Sequence, residues 1–105
     1  MNYIDRLAEG IRSKIPSKRL PDEDASDLFR MYAVLLLAKG VSVTASDVHN
    51  AWVAWMLETD DSHESLVPYE DLAPSVAAQD EPYVEAIKAT AREQGKDDGD
   101  AVELR

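Results

Sequence analysis

The stretch Leu28–Ala38 reads Leu-Phe-Arg-Met-Tyr-Ala-Val-Leu-Leu-Leu-Ala, with one charge in eleven residues. Wound as a helix it is apolar around most of its circumference rather than along one stripe, the pattern of a helix enclosed by others. A chain of 105 residues has material for a single core. The expectation is therefore an all-α, compact four-helix domain arranged around this central, most buried segment. A long ordered loop packs between helices 3 and 4.

The flanking helices follow from periodicity and end signals. Asn2 can cap the first helix, with Asp5 three residues on, and Ile4, Leu7, Ala8, Ile11 and Ile15 recur at three- and four-residue steps. Pro16 ends it, and Lys14, Lys18 and Arg19 fall where the macrodipole favours cations. That role is preferred for this basic cluster over an anion site. Pro21-Asp22-Glu23-Asp24 opens the second helix, with Asp22 and Asp24 both suitable caps, and Lys39-Gly40 closes it. Val41-Ser42-Val43 reads as an extended connector. Thr44 with Asp47 forms an acidic capping box for a third helix whose inward stripe is Val48, Trp52, Trp55 and Met56. Residues 59–73 form a loop too apolar to be idle, since Leu66, Val67, Tyr69 and Leu72 need cover. Pro74–Gln79 is a short helix. Asp80 caps the last one, whose buried stripe is Tyr83, Val84, Ile87 and Ala91. The domain is expected over residues 1–95, followed by an acidic, disordered tail over 96–105.

Charge excludes some functions. Residues 1–21 carry five Lys/Arg against two acids, while the whole chain is at −10, so nearly all the acidity lies beyond Pro21. Glu58–Glu81 holds eight acids and no Lys or Arg. Such a surface repels phosphate backbones, so no nucleic-acid partner is expected. Solubility explains the acidity most simply; docking to a basic protein partner, or mimicry of a polyanion, is the sharper reading. No apolar run approaches bilayer-crossing length, so no membrane partner is expected. The opening Met1–Arg6 holds an acid and no apolar core of a signal, which makes a cytoplasmic location the default. The absence of cysteine rules out disulfides and thiolate metal sites.

The region richest in uncommon residues runs from His49 to Asp80. His49-x-x-Trp52, then His63-x-x-Leu66-Val67-Pro68-Tyr69-x-x-Leu72, then Asp80, resembles the RyR domain over residues 45–92. That module was first named from ryanodine receptors and is also seen as a small domain in bacteria and phages. Three departures stand out. The family's arginine and Gly-Trp segment between the halves is missing, Glu64 follows His63 where the family has proline, and Glu81 replaces an arginine that could pair with an anionic ligand. The resemblance implies a helical binding or adaptor module without catalysis, sensing a small nucleotide-derived ligand. The other function considered is an acidic protein-interaction subunit, acting as a homodimer or as an antagonist of a basic partner.

Candidate ligand-binding residues are His49, Trp52, Trp55, His63, Tyr69 and Asp80. Aromatic faces beside hydrogen-bonding imidazoles can orient a planar ligand. Each has a plainer role too. The tryptophans at helical spacing can simply fill the core, His49 can be satisfied by a backbone carbonyl, His63 can latch its own loop, and Tyr69 can pin it. No catalytic residue, metal site or cofactor is expected. The four glycines are scattered rather than gathered in a phosphate loop, the acids lack calcium-loop spacing, and a His49–His63 zinc pair with Asp60 or Asp61 has no recognised ligand spacing.

Overall fold

The Asn2 side-chain oxygen accepts from the Asp5 N–H at 2.7 Å and starts α1 (Tyr3–Arg12). Asp5 does not complete a box; its carboxylate takes Arg30 at 2.7 Å instead. Leu7, Ala8 and Ile11 form the buried stripe, continued by Ile15 just past the helix end. A 3-10 turn over Ser17–Arg19 follows Pro16.

The central segment becomes α2 (Ser26–Lys39). It begins later than the Pro21-Asp22 signal suggests, because the Asp24 carboxylate takes the Ser26 N–H and hydroxyl at 3.0 and 2.7 Å. Gly40 ends the helix at φ +56°, in the region that favours glycine. Residues Gly40–Ser42 then form a 3-10 turn, not an extended connector, and only Val43 is extended and buried.

The Thr44–Asp47 capping box is complete, with bonds of 3.2 and 2.9 Å, and starts α3 (Ala45–Met56). Such a cap is worth about 1 kcal/mol. After turns near Thr59 and Ser62, a 3-10 turn at Tyr69–Asp71 leads to α4 (Pro74–Ala77). A tight turn over Ala78–Asp80 joins it directly to α5 (Glu81–Asp97). Asp80 therefore sits inside a nearly continuous helical run, and neither of its oxygens caps a backbone N–H. Lys96 and Asp97 belong to α5, not to a tail.

The computed structural model describes residues 2–22 and 24–97; the remainder of the expected tail lies outside them. Among the described residues there is no strand, and the architecture is a compact all-helical domain of four main helices. No helix there is long and apolar enough to cross a membrane. α2 lies between α1, α3 and α5, burying Leu28, Phe29, Tyr32, Ala33 and Leu36. Completely enclosed side chains such as Ile11, Leu28 and Ile87 each contribute about 1.5–3 kcal/mol by leaving water. The enclosure is nevertheless incomplete, since Val34 and Leu37 are 55% and 54% exposed. Four helices in a chain this short cover three sides of α2 and leave the fourth open.

Candidate functional site

The loop after α3 folds back over that helix because His49 holds it. Ring Nε2 of His49 lies 2.7 Å from the Val67 carbonyl oxygen, so Nε2 carries a proton and donates it. His49 is itself 3% exposed, and its ring stacks on Trp52 with centroids 5.7 Å apart. Trp52 also meets the His63 ring in a T-shaped contact, with centroids 5.1 Å apart. His63 latches its own turn by accepting the Ser65 N–H on Nδ1 at 3.0 Å. The neutral tautomer of His63 therefore carries its proton on Nε2.

These groups form one wall of a cavity of about 400 Å³, a size within the range of small-molecule sites. His49, Trp52, His63 and Ser65 line that wall, with Leu72, Val76, Gln79 and Asp80 from the segment leading into α5. The opposite side comes from the first half of the chain: Lys18, Arg19 and Pro21, with Leu28, Tyr32 and Tyr83 beneath. Thus four of the six residues expected from the sequence, His49, Trp52, His63 and Asp80, converge on one concavity. Tyr69 is not part of the lining. It packs edgewise on His49, with centroids 6.2 Å apart, and supports the imidazole from behind. Trp55 packs against the core, away from the cavity lining.

Asp80 is the most unusual group. Its Oδ2 is enclosed and has no hydrogen-bond partner among the described residues. The nearest group of opposite potential charge is His49 Nδ1, 3.9 Å away, too far for a hydrogen bond. Burial pushes the Asp80 carboxyl up to about 6; His49 pulls it down and Glu81 adds to the rise. With the His49 Nε2 proton committed to Val67, a neutral imidazole turns its Nδ1 lone pair toward the carboxylate. A proton on either partner removes that conflict. Burial also holds the Tyr32 and Tyr83 hydroxyls above the usual phenol range, with Asp80 contributing to both. They consequently stay neutral at ordinary pH.

The sequence reading missed the far wall. Lys18 and Arg19 were assigned to the helix dipole, but α1 ends at Arg12 and only Lys14 reaches back, bonding the Gly10 carbonyl at 3.2 Å and pairing with Glu93. Lys18 and Arg19 instead ride on the 3-10 turn at the cavity mouth. That turn is fixed by α5, since the Tyr83 hydroxyl donates to the Arg19 carbonyl. The available signal was a basic N-terminal segment in a chain otherwise strongly acidic. Among the described residues, no group of three histidine and carboxylate side chains converges as a metal site would require.

A family model described as Domain of unknown function (DUF7701) matches residues 2–92, and the chain belongs to that family. The match takes in both walls of the cavity, so the site lies within the family's domain. No curated protein and no solved structure matches the chain.

Proposed function

We propose that this domain is a cytoplasmic, non-enzymatic binding module that senses a small, planar, nucleotide-derived ligand in the cavity between the Lys18–Arg19 turn and the His49–Trp52–His63 wall. One observation carries the reading: a half-buried carboxylate, Asp80, with no hydrogen-bond donor to its enclosed oxygen among the described residues, borders a concavity lined by imidazoles, a tryptophan and two neutral phenols. A buried polar group left unsatisfied costs about 1–3 kcal/mol, and a ligand N–H that engages the Asp80 carboxylate, with a small turn of that side chain, would offset it. The resemblance of residues 45–92 to an RyR domain supports the same reading, because five of its matching residues, His49, Trp52, His63, Leu72 and Asp80, line the cavity. The half-buried Trp52 gives the ligand an aromatic border, although His49 and His63 already cover much of its surface.

The test is a thermal-shift screen with nucleotides and their cyclic and ADP-ribose derivatives, repeated on a Ser65→Trp protein in which the new ring fills the cavity. A ligand at one hundred times its Kd should stabilise the parent by about 2.7 kcal/mol. Equal stabilisation of a folded Ser65→Trp protein would place binding elsewhere and end this reading.

A second reading is favoured by the open side of α2. Met31, Val34, Leu35 and Ala38 form an apolar groove with Ala51 of α3. The occupant proposed is a second copy of the chain. Sedimentation of a Val34→Glu variant against the parent decides it: a parent that is monomeric throughout the micromolar range rejects the dimer.

A further inference from the structure

Two cations stand at the mouth of the cavity in a protein whose formal charge is −10. Four of the other basic side chains have partners: Lys14 pairs with Glu93, Arg30 with Asp5 and Asp27, Lys39 with Asp47, and Arg12 lies over the Phe29 ring. Lys18 and Arg19 form no ion pair among the described residues, although acids outnumber bases nearly two to one. Their position is not left to chance, because the Tyr83 hydroxyl anchors the backbone that carries them. The same cavity is lined by Asp80, a half-buried carboxylate with no hydrogen-bond donor to its Oδ2 among the described residues. The cavity is thus polarised, with a half-buried carboxylate acceptor in its lining and two exposed cationic donors beside it.

We infer that the ligand is bipolar: a phosphate monoester held by Lys18 and Arg19 at the mouth, joined to an N–H-bearing ring whose donor reaches Asp80. This deepens the binding-module reading and rests on it. A phosphate monoester carries about −1.5 to −2 charges near neutrality, which two cations balance. A carboxylate would leave one of them uncompensated. Arg19 supplies a planar fork suited to phosphate oxygens, and Lys18 a point charge that can follow the ligand.

The experiment is calorimetric titration of the parent and a Lys18→Gln/Arg19→Gln double variant. Both side chains are exposed, so the variant should fold like the parent. The probes are adenosine 5′-monophosphate, adenosine, ribose 5-phosphate, and purine riboside 5′-monophosphate, which lacks the exocyclic amine; L-tryptophan provides a carboxylate arm. Adenosine 5′-monophosphate should bind the parent best. The double variant should lose roughly tenfold for it, and little for adenosine, as expected for two solvent-screened pairs. The loss should shrink as salt rises. Purine riboside monophosphate should bind more weakly than the amine-bearing probe. Equal affinity of parent and double variant for adenosine 5′-monophosphate would overturn the phosphate anchor while leaving the cavity reading intact. Tighter binding of L-tryptophan, abolished in the double variant, would replace phosphate by carboxylate and overturn the assignment. Failure of every probe to bind the parent would reject the bipolar ligand and count against the cavity reading itself, which the wider nucleotide screen then decides.

Discussion

Replacing Asp80 by asparagine should make the free protein more stable at pH 8 and leave it nearly unchanged at pH 4. The carboxyl titrates near 3.8 when unfolded and at about 6 when folded. Each unit is worth 1.36 kcal/mol, giving an upper bound of roughly 3 kcal/mol for the penalty on the ionised form. The side chain is 16% exposed and borders an open cavity, so screening reduces this to about 1–2 kcal/mol. Attraction to a charged His49 acts in the opposite sense, but the net rise shows that burial outweighs it. Between the unfolded and folded values the native chain holds more protons than the unfolded one, so stability falls as pH climbs through that window. Above about 6 the full penalty persists. Asparagine removes the charge while keeping the shape, and its amide no longer sets a negative charge against the His49 Nδ1 lone pair. Calorimetric melts of both proteins from pH 4 to 8 should show a gap that opens with pH and reaches roughly 5–10 °C. A constant gap across that range, or an asparagine variant less stable at pH 8, would refute the assignment of Asp80 as a destabilised buried carboxylate.

Other perturbations test the scaffold. Thr44→Ala removes one half of the complete capping box and should cost about 0.5–2 kcal/mol in urea unfolding, without changing the m-value. Gly10→Ala should stabilise by roughly 0.5–1 kcal/mol through helix propensity, because the new methyl would lie 3.4 Å from the Thr90 Cγ2, an ordinary contact. A lower thermal midpoint would instead show that α1 and α5 cannot yield at that point. Ile87→Ala empties a completely buried site between the helices and should cost about 2–5 kcal/mol in the same assay.

The asparagine variant and the Lys18–Arg19 pair illustrate where reading the sequence succeeds and stops. His49 could be satisfied by a backbone carbonyl or could meet a ligand; its Nε2 bonds the Val67 carbonyl, while the same ring lines the cavity. Trp52 and Trp55 share a helical stripe, but neighbouring elements put Trp52 at the cavity while Trp55 packs against the core. Asp80 had the signature of a cap and does not cap, because α4 and the turn after it run straight into α5 and supply the backbone partners that a free helix start would lack.

The sequence by itself determined the helical class, the apolar stripes of α1 and α5, the Asn2 and Thr44 caps and the glycine stop at Gly40. Those depend on periodicity and on hydrogen bonds within three or four residues, which local order encodes. Of the α3 stripe, Val48 is buried, the tryptophans are only partly so, and Met56 stays outside the core. Only the tertiary structure decided that residues 18–19 face residues 49–80, and that α2 keeps one side open. Both are consequences of how four helices divide a small surface. The cavity, in consequence, belongs to neither half of the chain alone; it arises where an N-terminal turn meets a loop more than forty residues later in sequence.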